Sequence, residues 1–317
     1  ISTVFLEFLK PGSLLLHSKP VYGGTDHFIH HILKGFGIHT VGFHPKKSEQ
    51  EIIQLVEDTG HSDQLALVYI ETPANPTNAL FDLSMARRIA DRFSRDDAPV
   101  YLAVDNTYMG PLWQHPMEHG ADLVVYSATK YIAGHSDVIA GAVLGNHELM
   151  ARIRGLRTFL GNMAGPWTGW LLMRSLETLK VRMDTQTRNA QKIAQFLNGH
   201  PKVEKVYYLG LLDESQPQQF AIYQEQCKAP GAMISFDIKG KEKDAFTFLN
   251  NLTIIKLAVS LGSTESLVEH PATMTHVDVS EEDRAMLGIS EKLIRLSVGV
   301  ENPDDIIWDI SNSLDKV

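Results

Sequence analysis

Leu65-Ala66-Leu67-Val68-Tyr69-Ile70 runs straight into Glu71-Thr72-Pro73-Ala74-Asn75-Pro76. A near-continuous Leu, Val, Tyr and Ile run suits a strand buried on both faces, and the prolines that follow stop it. Such strands belong to parallel sheets covered by helices, and the flanking sequence fits. Downstream, residues 83–93 read as a helix with Arg and Asp on its wet side. Strands follow at 100–104, 123–126 and 139–144. Upstream, residues 51–57 are helical, 40–43 a strand, 27–33 a helix, and 14–17 a strand after the Pro11-Gly12 turn. The opening residues, Ile1-Ser2-Thr3-Val4-Phe5-Leu6, already carry a helix-like apolar pattern. Strands alternating with helices predict an α/β fold with a mostly parallel, doubly wound central sheet flanked by helices.

The second half changes character. One long helix is expected over 167–196, strands at 231–238 and 254–260, and helices at 242–250 and 303–314. This predicts a smaller α+β domain, with units at 1–183 and 184–317. The length of 317 residues suits two domains in close contact.

Bulk composition excludes several classes. The net charge is −9, and no Lys/Arg block of a nucleic-acid binder is present. No apolar run is long enough for a membrane helix. Cys227 is the only cysteine, so no internal disulfide can form; this fits a reducing, cytoplasmic setting.

In open α/β sheets ligands sit beyond the carboxyl ends of the strands. That rule gives weight to Glu71 through Asn75, to Asp105-Asn106-Thr107, and to Ser127-Ala128-Thr129-Lys130. A lysine at a strand end beside two hydroxyl residues suits Schiff-base chemistry, with the hydroxyls on a phosphate. An aspartate ending a neighbouring strand suits a cationic ring nitrogen. The amide of Asn75 suits a ring hydroxyl. Each also has a plainer reading: a solvated lysine, a helix-capping aspartate, a simple turn.

Several motifs in order decide between these readings. They are Glu71-Thr72-Pro73-Ala74-Asn75-Pro76-Thr77, Val104-Asp105-Asn106-Thr107-Tyr108, Ser127-Ala128-Thr129-Lys130-Tyr131 and Gly134-His135-Ser136-Asp137. Others continue through Leu171 to Met183, with Arg174 and Arg182. Further ones are Ala258-Val259-Ser260-Leu261-Gly262, Glu269-His270-Pro271-Ala272 with His276, and Ile294-Arg295-Leu296-Ser297-Val298-Gly299. Together they resemble the Cys/Met-metabolism group of pyridoxal-phosphate enzymes: cystathionine γ-lyase, cystathionine γ-synthase, cystathionine β-lyase and methionine γ-lyase. The resemblance covers essentially the whole chain.

It implies a fold type I, aspartate-aminotransferase-like architecture with pyridoxal 5′-phosphate bound covalently by Lys130. By the same resemblance Asp105 partners the ring nitrogen, Tyr22 stacks on the ring, and Asn75 lies near the ring hydroxyl. Ser127 and Thr129 match phosphate ligands. Arg295 matches the grip on the substrate carboxylate, and Ser260 lines the pocket beside Lys130. The implied catalytic residues are Lys130, which moves the α-proton, and Tyr22, which assists the leaving sulfur.

The implied reaction is γ-elimination on methionine or cystathionine, giving a thiol, a 2-oxo acid and ammonia. The alternative is γ-replacement on an O-acylhomoserine, as in a cystathionine γ-synthase. A cofactor-free, non-catalytic homologue is the reading from another class. The resemblance also implies a homotetramer built from active dimers. It further implies a segment ahead of Ile1 with a phosphate-binding Ser-Gly-Met turn, and a Tyr and an Arg that serve a neighbouring subunit. That segment is expected to be either missing or disordered.

At Met109 and Ser136 methionine γ-lyases usually carry cysteine and glycine, so the chain stands nearer the cystathionine-type enzymes there. Gly110-Pro111-Leu112-Trp113-Gln114-His115 and Gly165-Pro166 match neither group's usual wording.

Rival motifs fail. After Gly35-Phe36-Gly37 a dinucleotide fingerprint needs glycine where Thr40 stands. Around Ser260 a nucleophile elbow needs glycine where Ala258 stands. His27 and His31 lack the glutamate of a zinc-protease helix, and no metal is expected.

Overall fold

The computed structural model describes residues 1–277, 279 and 281–317. The first sheet holds six strands: β1 Leu14–Ser18, β2 His39–Phe43, β3 Leu65–Glu71, β4 Tyr101–Asp105, β5 Leu123–Ser127 and β6 Gly141–Gly145. Their order is β2-β1-β3-β4-β5-β6. All neighbours are parallel except β5 and β6.

Period-2 alternation sorts the strand side chains. Leu14, Leu16, Val68, Ile70, Val104 and Val124 pack on one face. Leu15, Leu67, Tyr69, Ala103, Leu123 and Val125 pack on the other, against Val4 and Phe5. The helix Leu83–Phe93 covers the first face with Leu83, Ala86, Ile89 and Ala90. The Asp82 carboxylate caps it by accepting from Met85 N–H at 2.8 Å, which satisfies an otherwise orphaned donor of the first turn.

The second sheet has five strands: β7 Val203–Tyr207, β8 Met233–Ile238, β9 Lys256–Leu257, β10 Leu267–Glu269 and β11 Leu293–Ser297. Their order is β7-β8-β11-β10-β9. The helices Leu179–Gly199, Glu242–Asn251 and Pro303–Leu314 pack on it through Ile193, Leu197, Phe248, Ile306 and Ile310.

Two expectations need correction. The single helix over 167–196 is two, Pro166–Leu176 and Leu179–Gly199. At the break the Ser175 carbonyl accepts from Arg182 Nη2 at 2.9 Å and from Thr178 Oγ1 at 3.3 Å. Side chains thus take the acceptor that a continuous helix would use. The strand expected over 254–260 shrinks to Lys256–Leu257. The backbone N–H groups of Thr253, Ile254 and Ile255 instead converge on the Asp309 carboxylate at 2.8–2.9 Å. The helices His147–Leu160 and Pro217–Gln226 were not anticipated, nor were β7, β10 and β11.

The two sheets are tied across one loop. Asn78 Nδ2 donates to the carbonyls of Tyr207 at 3.0 Å and Met233 at 2.9 Å, and Ser235 Oγ donates to Pro76 O at 2.6 Å. The Gln219 amide both donates to and accepts from Leu80. The Gln226 amide does the same for Phe81 and Leu83. The second sheet is therefore held against the loop that follows the carboxyl end of β3.

Candidate active site

Lys130 lies in the turn that follows β5. Its Nζ donates to Ser260 Oγ at 3.1 Å, so the two expected neighbours meet. The loop bearing Ser260 can approach this closely because Gly262 follows it with φ +76; a Cβ there would stand 2.8 Å from Tyr131 N. Burial, and then the positive charge of Arg295, pull the Lys130 pKa below the usual lysine range.

Asp105 ends β4 and is buried. Its Oδ1 accepts from Thr107 N–H at 3.0 Å and Thr107 Oγ1 at 2.6 Å, and its Oδ2 from Tyr69 Oη at 3.1 Å. Burial raises its pKa, against the pull of the Thr107 hydrogen bonds. Thr107 Oγ1 also accepts from Ser127 N–H at 2.8 Å, joining the ends of β4 and β5.

Glu71 ends β3 and is the register partner of Asp105. Its Oε2 accepts from Tyr22 N–H at 2.6 Å. Burial and the adjacent Asp105 charge hold its carboxyl far above the usual carboxylate range. The Tyr22 ring lies over Gly24 and is 54% exposed.

Asn75 follows in the loop after β3. Its Oδ1 accepts from Tyr108 Oη at 2.5 Å and from Arg295 Nη1 at 3.2 Å, which leaves its Nδ2 end for a ligand. Arg295, on β11, is buried and ion-paired to Glu269 at 2.6 Å. Its Nη2 donates to the carbonyls of Val259 and Ser260.

Of the two expected phosphate ligands, Ser127 closes β5. The Thr129 hydroxyl is engaged with the Ala140 backbone, donating to its carbonyl at 3.2 Å and accepting from its N–H at 3.0 Å. Among the described residues no group of three or more His, Cys, Asp or Glu is placed to hold a metal ion.

The profile of the family described as Cys/Met metabolism PLP-dependent enzyme matches residues 1–315. The chain belongs to this family. Its cofactor is pyridoxal 5′-phosphate. An L-methionine gamma-lyase of Fusobacterium nucleatum subsp. nucleatum is 42% identical, covering all of this chain and 78% of the relative. A cystathionine gamma-lyase of Rattus norvegicus is 40% identical over 99% of this chain and 76% of the relative. A solved structure of cystathionine gamma synthase from Xanthomonas oryzae pv. oryzae, in complex with aminoacrylate and cysteine, superposes with a TM-score of 0.91 at 35% identity. It covers 99% of this chain and 78% of that one. These likenesses establish the α/β, fold type I architecture expected from the sequence.

The site chemistry suits the family's cofactor. Asp105 is a buried acid served only by neutral donors among its hydrogen bonds, a setting that a cationic ring nitrogen completes. The Lys130 amine forms no ion pair among the described residues, and its lowered pKa favours the neutral, nucleophilic form.

Sequence reasoning assigned no roles to Glu71, Tyr69, Thr107, Tyr108 or Glu269. A signal existed for Thr107, since a hydroxyl two residues after an aspartate readily closes a local hydrogen-bonded turn. Glu269 also carried one, as an acid directly after the apolar pair Leu267-Val268.

Proposed function

We propose that the chain is a carbon–sulfur lyase acting by γ-elimination on methionine or cystathionine, releasing a thiol, a 2-oxo acid and ammonia. The Lys130 amine carries this reading. It is partly buried, tied to Ser260 Oγ, and its pKa is depressed. When bound, pyridoxal phosphate supplies an aldehyde for the amine and a cationic ring that withdraws electrons from the substrate α-carbon.

Lys130 would hold the cofactor covalently and, once released, take the proton from the substrate α-carbon. Ser260 Oγ fixes the amine in place. Asp105 would hold the proton of the ring nitrogen, with Tyr69 and Thr107 fixing its carboxylate. The Nδ2 end of Asn75 would meet the ring hydroxyl, and Ser127 would serve the phosphate, joined by Thr129 if its hydroxyl hydrogen turns from the Ala140 carbonyl. Tyr22 would stack on the ring and pass a proton to the leaving sulfur. Arg295 would bind the substrate carboxylate.

The synthase likeness keeps γ-replacement as a second reading. One assay panel separates them: methionine, cystathionine, homocysteine, and O-acylhomoserine with cysteine. Oxo-acid release without an added thiol supports the lyase. Turnover confined to O-acylhomoserine plus cysteine overturns it.

The homotetramer is part of this proposal. Its support is an apolar stripe left uncovered on the helix Pro166–Leu176, where Trp167 is 70% and Met173 71% exposed. No described helix is long and apolar enough to cross a membrane, and the lone cysteine fits a cytoplasmic setting. The division at 1–183 and 184–317 is proposed too; it falls inside the helix Leu179–Gly199, and each sheet lies on its own side of it.

A further inference from the structure

Glu71 is a buried acid to which the reaction assigns no task. It stands at the end of β3 with Asp105 opposite it on β4. Both side chains are 5–6% exposed. Two carboxyl groups in one desolvated strand end do not both ionise readily, and Asp105 already collects three donors. Glu71 holds different partners. Its Oε2 accepts from Tyr22 N–H at 2.6 Å. Its own N–H donates to Ser18 Oγ at 2.9 Å, at the end of β1. One residue therefore links the loop carrying the ring-stacking tyrosine, the end of β1, and the strand end opposite Asp105.

We propose that Glu71 is a positioning residue which, in its neutral form, accepts the Tyr22 backbone N–H and thereby sets the tyrosine loop against the cofactor ring. The inference rests on the reading of Tyr22 and Asp105 as cofactor residues. Its physical content is that an acceptor oxygen, and not a negative charge, is what the site requires at this position. A second full charge beside Asp105 would compete with it for the ring cation. The raised pKa of Glu71, caused by burial and then by the Asp105 charge, agrees with this.

The test compares Glu71→Gln, Glu71→Asp and Glu71→Ala in the full chain. Gln keeps an acceptor oxygen at the same reach without the charge. Asp keeps the acid but withdraws it by one methylene. Two readouts are taken. One is the affinity for added pyridoxal 5′-phosphate, by fluorescence titration. The other is amide hydrogen exchange in the segment around Tyr22 without cofactor.

Expected is a loss of about tenfold in affinity for Ala and Asp, the size of one buried hydrogen-bond partner removed. Faster exchange at Tyr22 accompanies that loss. Gln stays within about twofold of the parent on both readouts. Should Ala fail to fold, Asp against Gln carries the comparison.

Gln behaving like Asp would mean that charge matters, and would overturn the proposal. So would parental affinity and exchange in Asp and Ala. If the parent chain itself takes up no pyridoxal phosphate, the underlying cofactor reading falls, and this proposal with it. Failure of Glu71 alone leaves parental binding intact and is thus distinguishable.

Discussion

Arg295 Nη1 lies 2.6 Å from Glu269 Oε1, with both side chains withdrawn from solvent and paired in register across β10 and β11. The remaining Nη hydrogens are also taken, by Asn75 Oδ1 and by the Val259 and Ser260 carbonyls. Only Nε of the guanidinium, and Oε2 of Glu269, stay buried without a partner. An incoming substrate carboxylate must therefore use Nε or displace Glu269. Replacing Glu269 by Gln keeps a weaker partner for the arginine and removes the competing anion. We expect KM for methionine to fall by roughly threefold to tenfold, in line with loss of a charge-assisted competitor. An unchanged or higher KM in Glu269→Gln rules this out.

Removing the arginine has the opposite character. Arg295→Ala strands a buried carboxyl that burial already pushes up in pKa. Loss of one partner of a buried pair costs about 3–5 kcal/mol. Urea unfolding of Arg295→Ala is expected to show that loss, and the double variant with Glu269→Gln to recover part of it. Additive effects in this double-mutant cycle would show that the pair is not coupled.

Lys130→Ala tests the covalent link directly. Borohydride reduction of the cofactor-loaded parent is expected to fix one cofactor mass on the peptide containing residue 130. In Lys130→Ala that mass is expected to be absent and turnover to fall by about a thousandfold or more, the scale of losing an acid–base group together with covalent catalysis. Retention of the mass on another peptide would move the site elsewhere.

How much of this was legible in the sequence follows from the physics of each element. β3, β4 and β5 were readable because strands buried on both faces show unbroken apolar runs, and their ends fixed where Asn75, Asp105 and Lys130 lie. The helix Leu83–Phe93 was readable from its periodicity, with Arg and Asp on its wet side; its Asp82 cap came only with the structure. β10 and the shortened β9 were not. Their length is set by partners distant in sequence, such as Asp309 capturing the amides of Thr253 to Ile255. The same holds inside the site. Lys130 and Asp105 follow local rules, whereas the pairings Arg295–Glu269 and Glu71–Tyr22 join residues far apart in the chain. No local pattern announces them.

Thr107 is the residue whose loss should disturb two strand ends at once. Its hydroxyl donates to Asp105 Oδ1 at 2.6 Å and accepts from Ser127 N–H at 2.8 Å. Thr107→Val removes both bonds at constant shape and leaves a buried N–H and a carboxyl each short of a partner. Cofactor affinity is expected to drop by about tenfold to a hundredfold, as for one or two such groups. Thr107→Ser should restore most of it. Equal affinity in the Val and Ser variants would remove the hydroxyl from the argument.

Acid should unfold this protein partly through two histidines. His17, on β1, and His276 are buried, and burial lowers the pKa of each from 6.5 to about 4. Each also has a buried Nε2 without a hydrogen-bond partner, so protonation would place a positive charge in the desolvated interior. The folded-state pKa is depressed, so the unfolded chain binds these protons first. Stability from the neutral rings is whole above about pH 6.5 and is lost as pH falls toward about 4, by at most roughly 3 kcal/mol per histidine. Urea midpoints measured near pH 7.5 and near pH 5 should therefore separate for the parent chain. His17→Gln, which cannot take up the proton, should narrow that separation. An equal separation in the variant would mean that His17 is already solvated when the fold is intact, contrary to its place inside the first sheet.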